Sequence, residues 1–290
     1  MDYDQFLAQA WTDHATDAPA VAARLADQAL AYVTETARVI PMAHLAHHVF
    51  GEHLGQWAAG LAFLDRLATL PAVQGEAAQA VLRFQAALKL SAGVADMRAG
   101  LDGSARIRVT ALAAANLALH DAARSHALLE EAVAAAEAAG LPDQDPAHRS
   151  LGIAGNGIAG TLEEKTPRSA DETRLMLRAA QVGRRFWALA GTWLETERAE
   201  YRLARSWHQA GDLPQARQHA QNCLEIVRAN GDVPLEAFFG WEALGRVEKA
   251  AGNHAGHAQA LRQAQQAFDN LAADDQGWCR ASLDALAGKA

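Results

Sequence analysis

Apolar residues recur along much of the chain at the spacing of one face of an α-helix. One window carries them at i, i+4, i+7, i+11 and i+14: Leu175, Ala179, Val182, Phe186 and Leu189. Comparable spacings run through residues 216–227 and 261–271. A helix with such a stripe becomes stable when a neighbouring element covers it. The pattern therefore predicts amphipathic helices that pack side by side.

Start and stop signals separate these windows. Gly140 and Pro142 end one helix, Pro146 suits the first turn of the next, and Ser169 with Glu172 forms a capping-box pattern. Short connections predict that consecutive helices are antiparallel neighbours. The predicted helices are 3–14, 18–36, 41–54, 56–70, 75–91, 104–119, 121–139, 146–164, 170–190, 193–209, 213–229, 235–250, 254–271 and 275–287.

The composition agrees with an all-α fold. Hydrophobic residues make up 50% of the chain but aromatic residues only 6%, and no strand-like alternation of β-branched residues occurs. We expect an α-solenoid of antiparallel helix pairs that forms a single domain over 1–290. Within it, 1–40 would hold N-terminal helices, 41–273 the helix pairs and 274–290 a C-terminal capping helix. The glycine-containing segment 92–103 is expected to be irregular.

Charge and cysteine usage exclude several classes of function. The net charge of −8 argues against a nucleic-acid partner, because phosphate binding needs a concentrated basic surface. The acidic N-terminus does not resemble a signal peptide, and the most apolar stretch, 109–119, is too short to span a bilayer. Cys223 and Cys279 lack metal-ligand spacing and are expected to be buried thiols. We expect a cytoplasmic protein without a membrane partner.

The turns between helices recur. Gly211-Asp212 and Gly252-Asn253 lie 41 residues apart, and Gly55-Gln56 is a third turn of this kind. The run Trp241-Glu242-Ala243-Leu244-Gly245 has the W-x-x-L-G pattern that opens a tetratricopeptide repeat. The chain resembles tetratricopeptide repeat proteins over roughly 190–275 and more weakly over 41–72 and 104–140. It departs from them in its longer repeat, since the usual length is about 34 residues, and in carrying His257 where the second helix usually has a small residue.

The resemblance implies a scaffold that binds a protein or peptide in a concave groove lined by the first helix of each pair. Arginine and tyrosine are residue types that anchor binding, and arginine can grip a carboxylate with two hydrogen bonds. An acidic segment or a C-terminal carboxylate is therefore the expected ligand, and homodimer formation is compatible with such a fold. The groove positions that the resemblance implies are Arg198, Tyr201, Arg205, His208, Phe239, Glu242, Arg246 and Lys249.

A histidine-rich segment offers a second hypothesis. His44, His48 and Glu52 fall at i, i+4 and i+8, with His47 and His53 beside them. Imidazoles at this helical spacing can share a transition metal such as zinc. The alternative interpretation is a polar helix face with one or two histidines in the core. On the metal hypothesis, the protein would be a metal-dependent enzyme or sensor.

Other motifs are weak. Residues 155–160 contain GxGxxG, but no strand precedes them, so glycines that permit close helix packing are the more natural interpretation than a nucleotide site. Sequence signatures of catalytic nucleophiles are missing. The expectation is a binding protein with no catalytic residues and no cofactor. A regulatory peptide receptor is a third hypothesis.

Overall fold

The computed structural model describes residues 1–289, and none of these residues lies in a β-strand. Helices α1 to α13 follow one another along this part of the chain. The all-α prediction is confirmed. The helices span Tyr3–Gln28, Val39–Ala46, Trp57–Ala68, Gly75–Ser91, Gly103–Leu117, Ala122–Ala139, Pro146–Glu164, Ala170–Ala190, Trp193–Ala210, Leu213–Ala229, Pro234–Ala250, His254–Asp269 and Ala273–Ala287.

The chain divides into two compact units, Met1–Ala154 and Gly155–Ala290. In the first unit α3 packs on α4, α4 on α5 and α5 on α6. In the second unit each helix from α8 to α12 packs on the helix that follows it. Packing between neighbours in sequence is the mark of a helical repeat array. The architecture is that of an α-solenoid, as the sequence predicted.

Capping residues explain why most helix boundaries match the prediction. Ser169 and Glu172 form the predicted capping box at the start of α8. Gly211 and Gly252 have φ of +84° and +70°, a left-handed conformation that costs glycine little. Asp212 then caps α10 by accepting a hydrogen bond from the backbone N–H of Gln215 at 3.1 Å.

The predicted break between helices 3–14 and 18–36 is present as a kink, whereas the predicted end at 36 differs from the structure. One helix, α1, runs from Tyr3 to Gln28 with a kink at Asp17, whose backbone is non-helical. The Asp17 side chain accepts from the N–H of Ala20 at 3.0 Å and restarts the helix beside Pro19. The α-helical conformation ends at Gln28, and short 3₁₀ turns follow at 29–32 and 36–38.

The predicted helix 41–54 also differs in kind. α2 ends at Ala46 and continues as a π-helical turn, His47–His53. The N–H of Leu54 bonds the carbonyl of Val49, five residues back, at 3.2 Å. This turn holds one more residue than an α-helical turn and changes which side chains lie above one another.

Each of the two units contains a cluster of buried apolar side chains. Val21, Leu25, Met42 and Leu45 belong to a cluster in the first unit. In the second unit, Leu283 and Leu286 of α13 belong to one cluster with Phe238 and Phe268. Both cysteines are buried and free, as expected. Among residues 1–289, no helix combines the length and apolar content of a membrane span.

Candidate functional site

A cavity of about 580 Å³ opens in the second unit beside α9. α9 supplies a cluster of polar side chains, because residues at i, i+4 and i+7 of a helix share one face. α7, α11 and α13 supply the remaining walls. We call this space the α9 cavity; its lining residues are Asn156, Glu164, Glu197, Arg198, Tyr201, Arg202, Arg205, Leu235, Glu236, Phe239, Trp278 and Ser282.

Two arginines of the cavity bind glutamates of neighbouring helices. Arg198 donates to Glu236 through Nη2 at 2.7 Å and Nε at 3.2 Å. Arg202 donates from Nη1 to Oε2 of the buried Glu163 at 2.5 Å. These pairs hold both guanidinium groups in place. A guanidinium has five N–H donors, so each arginine keeps donor capacity beyond these bonds.

The third arginine of α9, Arg205, forms a hydrogen bond with a tyrosine hydroxyl. Arg205 donates from Nη1 to the Tyr201 hydroxyl at 3.0 Å, and its Nε lies 4.0 Å from Glu163. Burial, followed by the negative charge of Glu242, raises the pKa of Tyr201 above its usual value. The hydroxyl therefore stays protonated at neutral pH and can donate a hydrogen bond of its own.

Glu197 stands apart from the paired glutamates. It is 1% exposed, and its Oε1 has no hydrogen-bond partner. Burial, followed by the nearby charge of Glu236, raises the pKa of Glu197 to about 8. The side chain is therefore mainly a neutral carboxylic acid at pH 7.

Aromatic rings form the apolar side of the cavity. The Tyr201 and Phe239 rings meet edge to face with centroids 5.5 Å apart. The centroids of the Phe239 and Trp278 rings lie 5.2 Å apart. Trp278 is 67% exposed, which is unusual for so large an apolar side chain. The cavity thus combines cationic donors with an aromatic surface open to solvent.

The structure brings four of the eight predicted groove residues to this cavity: Arg198, Tyr201, Arg205 and Phe239. Glu242 is buried, accepts a hydrogen bond from Arg246 and lies 3.4 Å from the Tyr201 hydroxyl. Burial lowers the pKa of His208, with the positive charge of Arg246 adding to the effect. Lys249 is exposed and is not part of the cavity lining.

The histidine-rich segment of the first unit forms a different cluster from the one the spacing predicted. Within residues 1–289, the side chains whose ligand atoms converge are His14, His48 and His53, with these atoms within 4.8 Å of one another. Glu52 contacts this group by accepting a hydrogen bond from His48 Nδ1 at 2.7 Å. His44 is not one of the three converging residues; its ring packs against Trp11, with centroids 5.4 Å apart.

The π-helical turn explains this arrangement. A π-helical turn is wider than an α-helical turn. It therefore places the His53 ring beside the His48 ring, five residues earlier in the chain. Their Nε2 atoms lie 3.0 Å apart. Burial, with the charges of His48 and His14 adding to it, lowers the pKa of His53 to about 4. This imidazole is therefore neutral at pH 7, the state in which it binds metal ions.

Comparison with protein-family models, curated proteins and solved structures finds no match for this chain. The site therefore has to be interpreted from its own geometry.

Sequence reasoning missed several residues of both clusters. Trp278 lies in the predicted C-terminal capping helix, and its sequence position does not indicate that it lines the cavity. Glu197 and Glu236 carried no signal, because an acidic residue in an amphipathic helix normally faces solvent. His14 lies on α1, far in sequence from the histidine-rich segment. The GxGxxG run lies inside α7, where a Cβ on Gly155 would come 2.5 Å from the backbone nitrogen of Gly183.

Proposed function

We propose that this protein is a tetratricopeptide-like scaffold that binds an extended segment of a partner protein in the α9 cavity. The occupant is a peptide with a carboxylate, either an acidic side chain or a free C-terminus. The observation that carries the proposal is the combination of three arginines with an exposed aromatic surface in one cavity. The protein acts by binding rather than by catalysis.

The dimensions of the cavity suit a few side chains of a peptide. Small-ligand pockets typically measure about 300–1,000 Å³, and this cavity measures about 580 Å³. A bound residue would cover Phe239 and Trp278 and remove their apolar surface from water. Large aromatic side chains and arginine are the residue types that dominate binding energy at protein interfaces.

The polar groups favour a carboxylate ligand. Arg198, Arg202 and Arg205 keep donor capacity, and their existing partners orient them without using every N–H. The neutral carboxyl of Glu197 adds no negative charge that would repel a ligand carboxylate. A ligand carboxylate would accept hydrogen bonds that are charge-assisted and therefore stronger than neutral ones.

The repeat-like features of the second unit support the scaffold interpretation. The turns at Gly211 and Gly252 and the pattern beginning at Trp241 resemble tetratricopeptide repeats. In that family the first helix of a pair lines the binding groove. α9 and α11 hold that position with respect to the two turns, and both line the cavity.

Fluorescence polarisation with a panel of labelled glutamate-containing hexapeptides would test the proposal. Each peptide is made with a free C-terminal carboxylate and as its C-terminal amide. We expect binding by wild-type protein and a loss of about tenfold or more for Arg198→Gln, since a hydrogen bond to a charged group contributes about 1.5–3 kcal/mol. Trp278→Ala should lose a comparable amount. Trp278 is 67% exposed, whereas Arg198 is the partner of the buried Glu236, so thermal denaturation of both variants has to separate lost binding from lost fold.

Lys249→Gln serves as the matched control. It removes a positive charge from the groove that the sequence predicted, at a position outside the cavity lining. Its affinity should stay within about twofold of wild type, since isolated surface charges contribute little. Equal losses for Lys249→Gln and Arg198→Gln would reject the cavity as the site. Failure of every peptide in the panel to bind would reject the carboxylate-bearing ligand.

A further inference from the structure

Three imidazoles converge on one point in the first unit. The ring centroids of His14, His48 and His53 lie 4.5–5.1 Å apart in all three pairs. Each residue places a ring nitrogen within 4.8 Å of those of the other two. All three side chains are half-buried, so an ion from solvent can reach them.

Hydrogen bonds fix the tautomers of two of these rings. His48 Nδ1 lies 2.7 Å from a carboxylate oxygen of Glu52, and His14 Nδ1 lies 2.7 Å from the carbonyl of Trp11. An ionised carboxylate and a carbonyl can only accept, so each Nδ1 carries the proton. The lone pair of each ring is therefore on Nε2, the nitrogen that remains for a ligand bond.

This pattern matches the surroundings of metal-bound histidines. A histidine that ligates a metal commonly donates its second ring N–H to a carboxylate or a backbone carbonyl, which orients the ring and raises its basicity. Here Glu52 provides the carboxylate and Trp11 the carbonyl. The Trp11 ring packs against His14 and His48, at 5.2 Å in each case, and restricts their rotation.

We propose that His14, His48 and His53 bind one divalent transition-metal ion of the zinc class through their imidazole nitrogens, with Glu52 and the Trp11 carbonyl as orienting groups. Zinc–nitrogen bonds of about 2.0–2.1 Å in a tetrahedron place the ligand nitrogens about 3.3 Å apart. His48 and His53 Nε2 are 3.0 Å apart. A shift of a few tenths of an ångström admits the ion between them. In the metal-free protein, a proton on His53 Nε2 forms the hydrogen bond to His48 Nε2. When the ion binds, the proton of His53 is on Nδ1 instead, and the Nε2 lone pair is free for the metal.

Three protein ligands leave a fourth tetrahedral position. Structural zinc sites usually fill all four positions with protein groups, whereas three histidines leave one for water or for a ligand. Half-burial of the cluster keeps this position accessible. The site therefore takes an exchangeable ligand, such as water, hydroxide or a small anion.

Titration of chelator-stripped wild-type protein with Zn²⁺ in a calorimeter would test the site, together with the visible absorption spectrum after Co²⁺ addition. We expect one ion per chain and a tetrahedral Co²⁺ spectrum. His53→Ala and His14→Gln should each weaken Zn²⁺ binding by at least about 100-fold, since even outer-shell changes cost 10–100-fold. Glu52→Gln should fall within that outer-shell range.

His44→Ala is the matched control, because it removes a histidine of the same segment that packs beside Trp11 without joining the cluster. Its Zn²⁺ affinity should stay within about threefold of wild type. A larger loss for His44→Ala than for His53→Ala would instead support the α-helical set His44, His48 and Glu52. Wild-type protein that binds no Zn²⁺ at micromolar concentration would overturn the proposal. Circular dichroism of each variant, with and without Zn²⁺, separates lost ligands from lost fold.

Discussion

Six glutamates of the second unit are buried, and their environments differ at the level of single atoms. Five of them accept hydrogen bonds from arginine side chains, which offset the cost of removing a carboxylate from water. Glu197 has an oxygen without such a bond. A buried carboxyl in this situation retains its proton instead of its charge. The buried glutamates are Glu163, Glu197, Glu200, Glu236, Glu242 and Glu248.

The raised pKa of Glu197 predicts a pH-dependent loss of stability. An ordinary glutamate loses its proton near pH 4.5, whereas Glu197 retains it in the folded state up to about pH 8. Between these values the folded state binds more protons than the unfolded state, so raising the pH destabilises the fold. The slope is at most about 1.4 kcal/mol per pH unit for one group.

Glu197→Gln should remove this contribution, because the amide mimics the protonated acid and does not titrate. Urea unfolding of both proteins at pH 5, 6.5 and 8 would measure it. We expect the variant to gain stability relative to wild type as the pH rises, with the largest gain at pH 8. A difference between the two proteins that stays constant over this range would show that Glu197 ionises normally.

At the scale of single helices, the glycine-rich run of α7 permits close packing against α8. A Cβ on Gly155 would come 2.5 Å from the nitrogen of Gly183 and 2.6 Å from the carbonyl oxygen of Ala179, both on α8. Backbone atoms cannot move aside as a flexible side chain can. Gly157, two residues further on, faces open space. The two glycines therefore have different roles in one helix.

Alanine substitutions should separate these roles. Gly155→Ala forces α7 and α8 apart and should lower the free energy of unfolding by about 1–3 kcal/mol. Gly157→Ala should raise it by up to about 1 kcal/mol, because alanine favours the helix over glycine. Chemical denaturation of both variants would measure these changes. Equal effects would contradict the helix–helix approach at Gly155.

The π-helical turn is the second feature at this scale. It begins at His47 and ends at His53, and it gives His53 a position that an α-helix would give to Glu52. Gly51 within the turn packs tightly, since a Cβ there would meet Asn116 Oδ1 at 2.6 Å. Packing of the turn against α5 therefore accompanies the change in helix geometry.

At the scale of the whole molecule, helices pack mainly on their neighbours in sequence within each unit. A unit of a helical array cannot cover its own apolar face, so the last helix needs a polar outer side. In the second unit, α13 packs on α11 and α12. Its Cys279, Leu283 and Leu286 belong to the cluster around Phe238 and Phe268, while Asp274 and Arg280 are exposed.

Deletion of residues 273–290 should uncover the Phe238 and Phe268 cluster. We expect a lower Tm and concentration-dependent self-association, since large exposed apolar patches drive aggregation. Thermal denaturation and light scattering would measure both effects. Deletion of residues 288–290 alone leaves α13 complete and should behave like wild type. A monomeric shorter chain of unchanged Tm would show that α13 is dispensable.

Local patterns along the chain predict the helical class and the bounds of most helices. The stripe from Leu175 to Leu189, the capping box of Ser169 and the turn at Gly211 each act within about one or two helical turns. Such local signals remain visible in a one-dimensional pattern. The tetratricopeptide resemblance implies groove positions at Arg198, Tyr201, Arg205 and Phe239, and these four residues line the α9 cavity.

Which side chains meet depends on the packing of segments that are distant in sequence. His14 reaches His48 across more than thirty positions, and Trp278 joins α9 through a separate helix. The burial of Glu197 depends on the helices packed around it, and the residues next to it in sequence do not indicate that it is buried. The π-helical turn brings His53 beside His48, five residues earlier in the chain. Each outcome depends on packing between distant segments, which local periodicity does not encode.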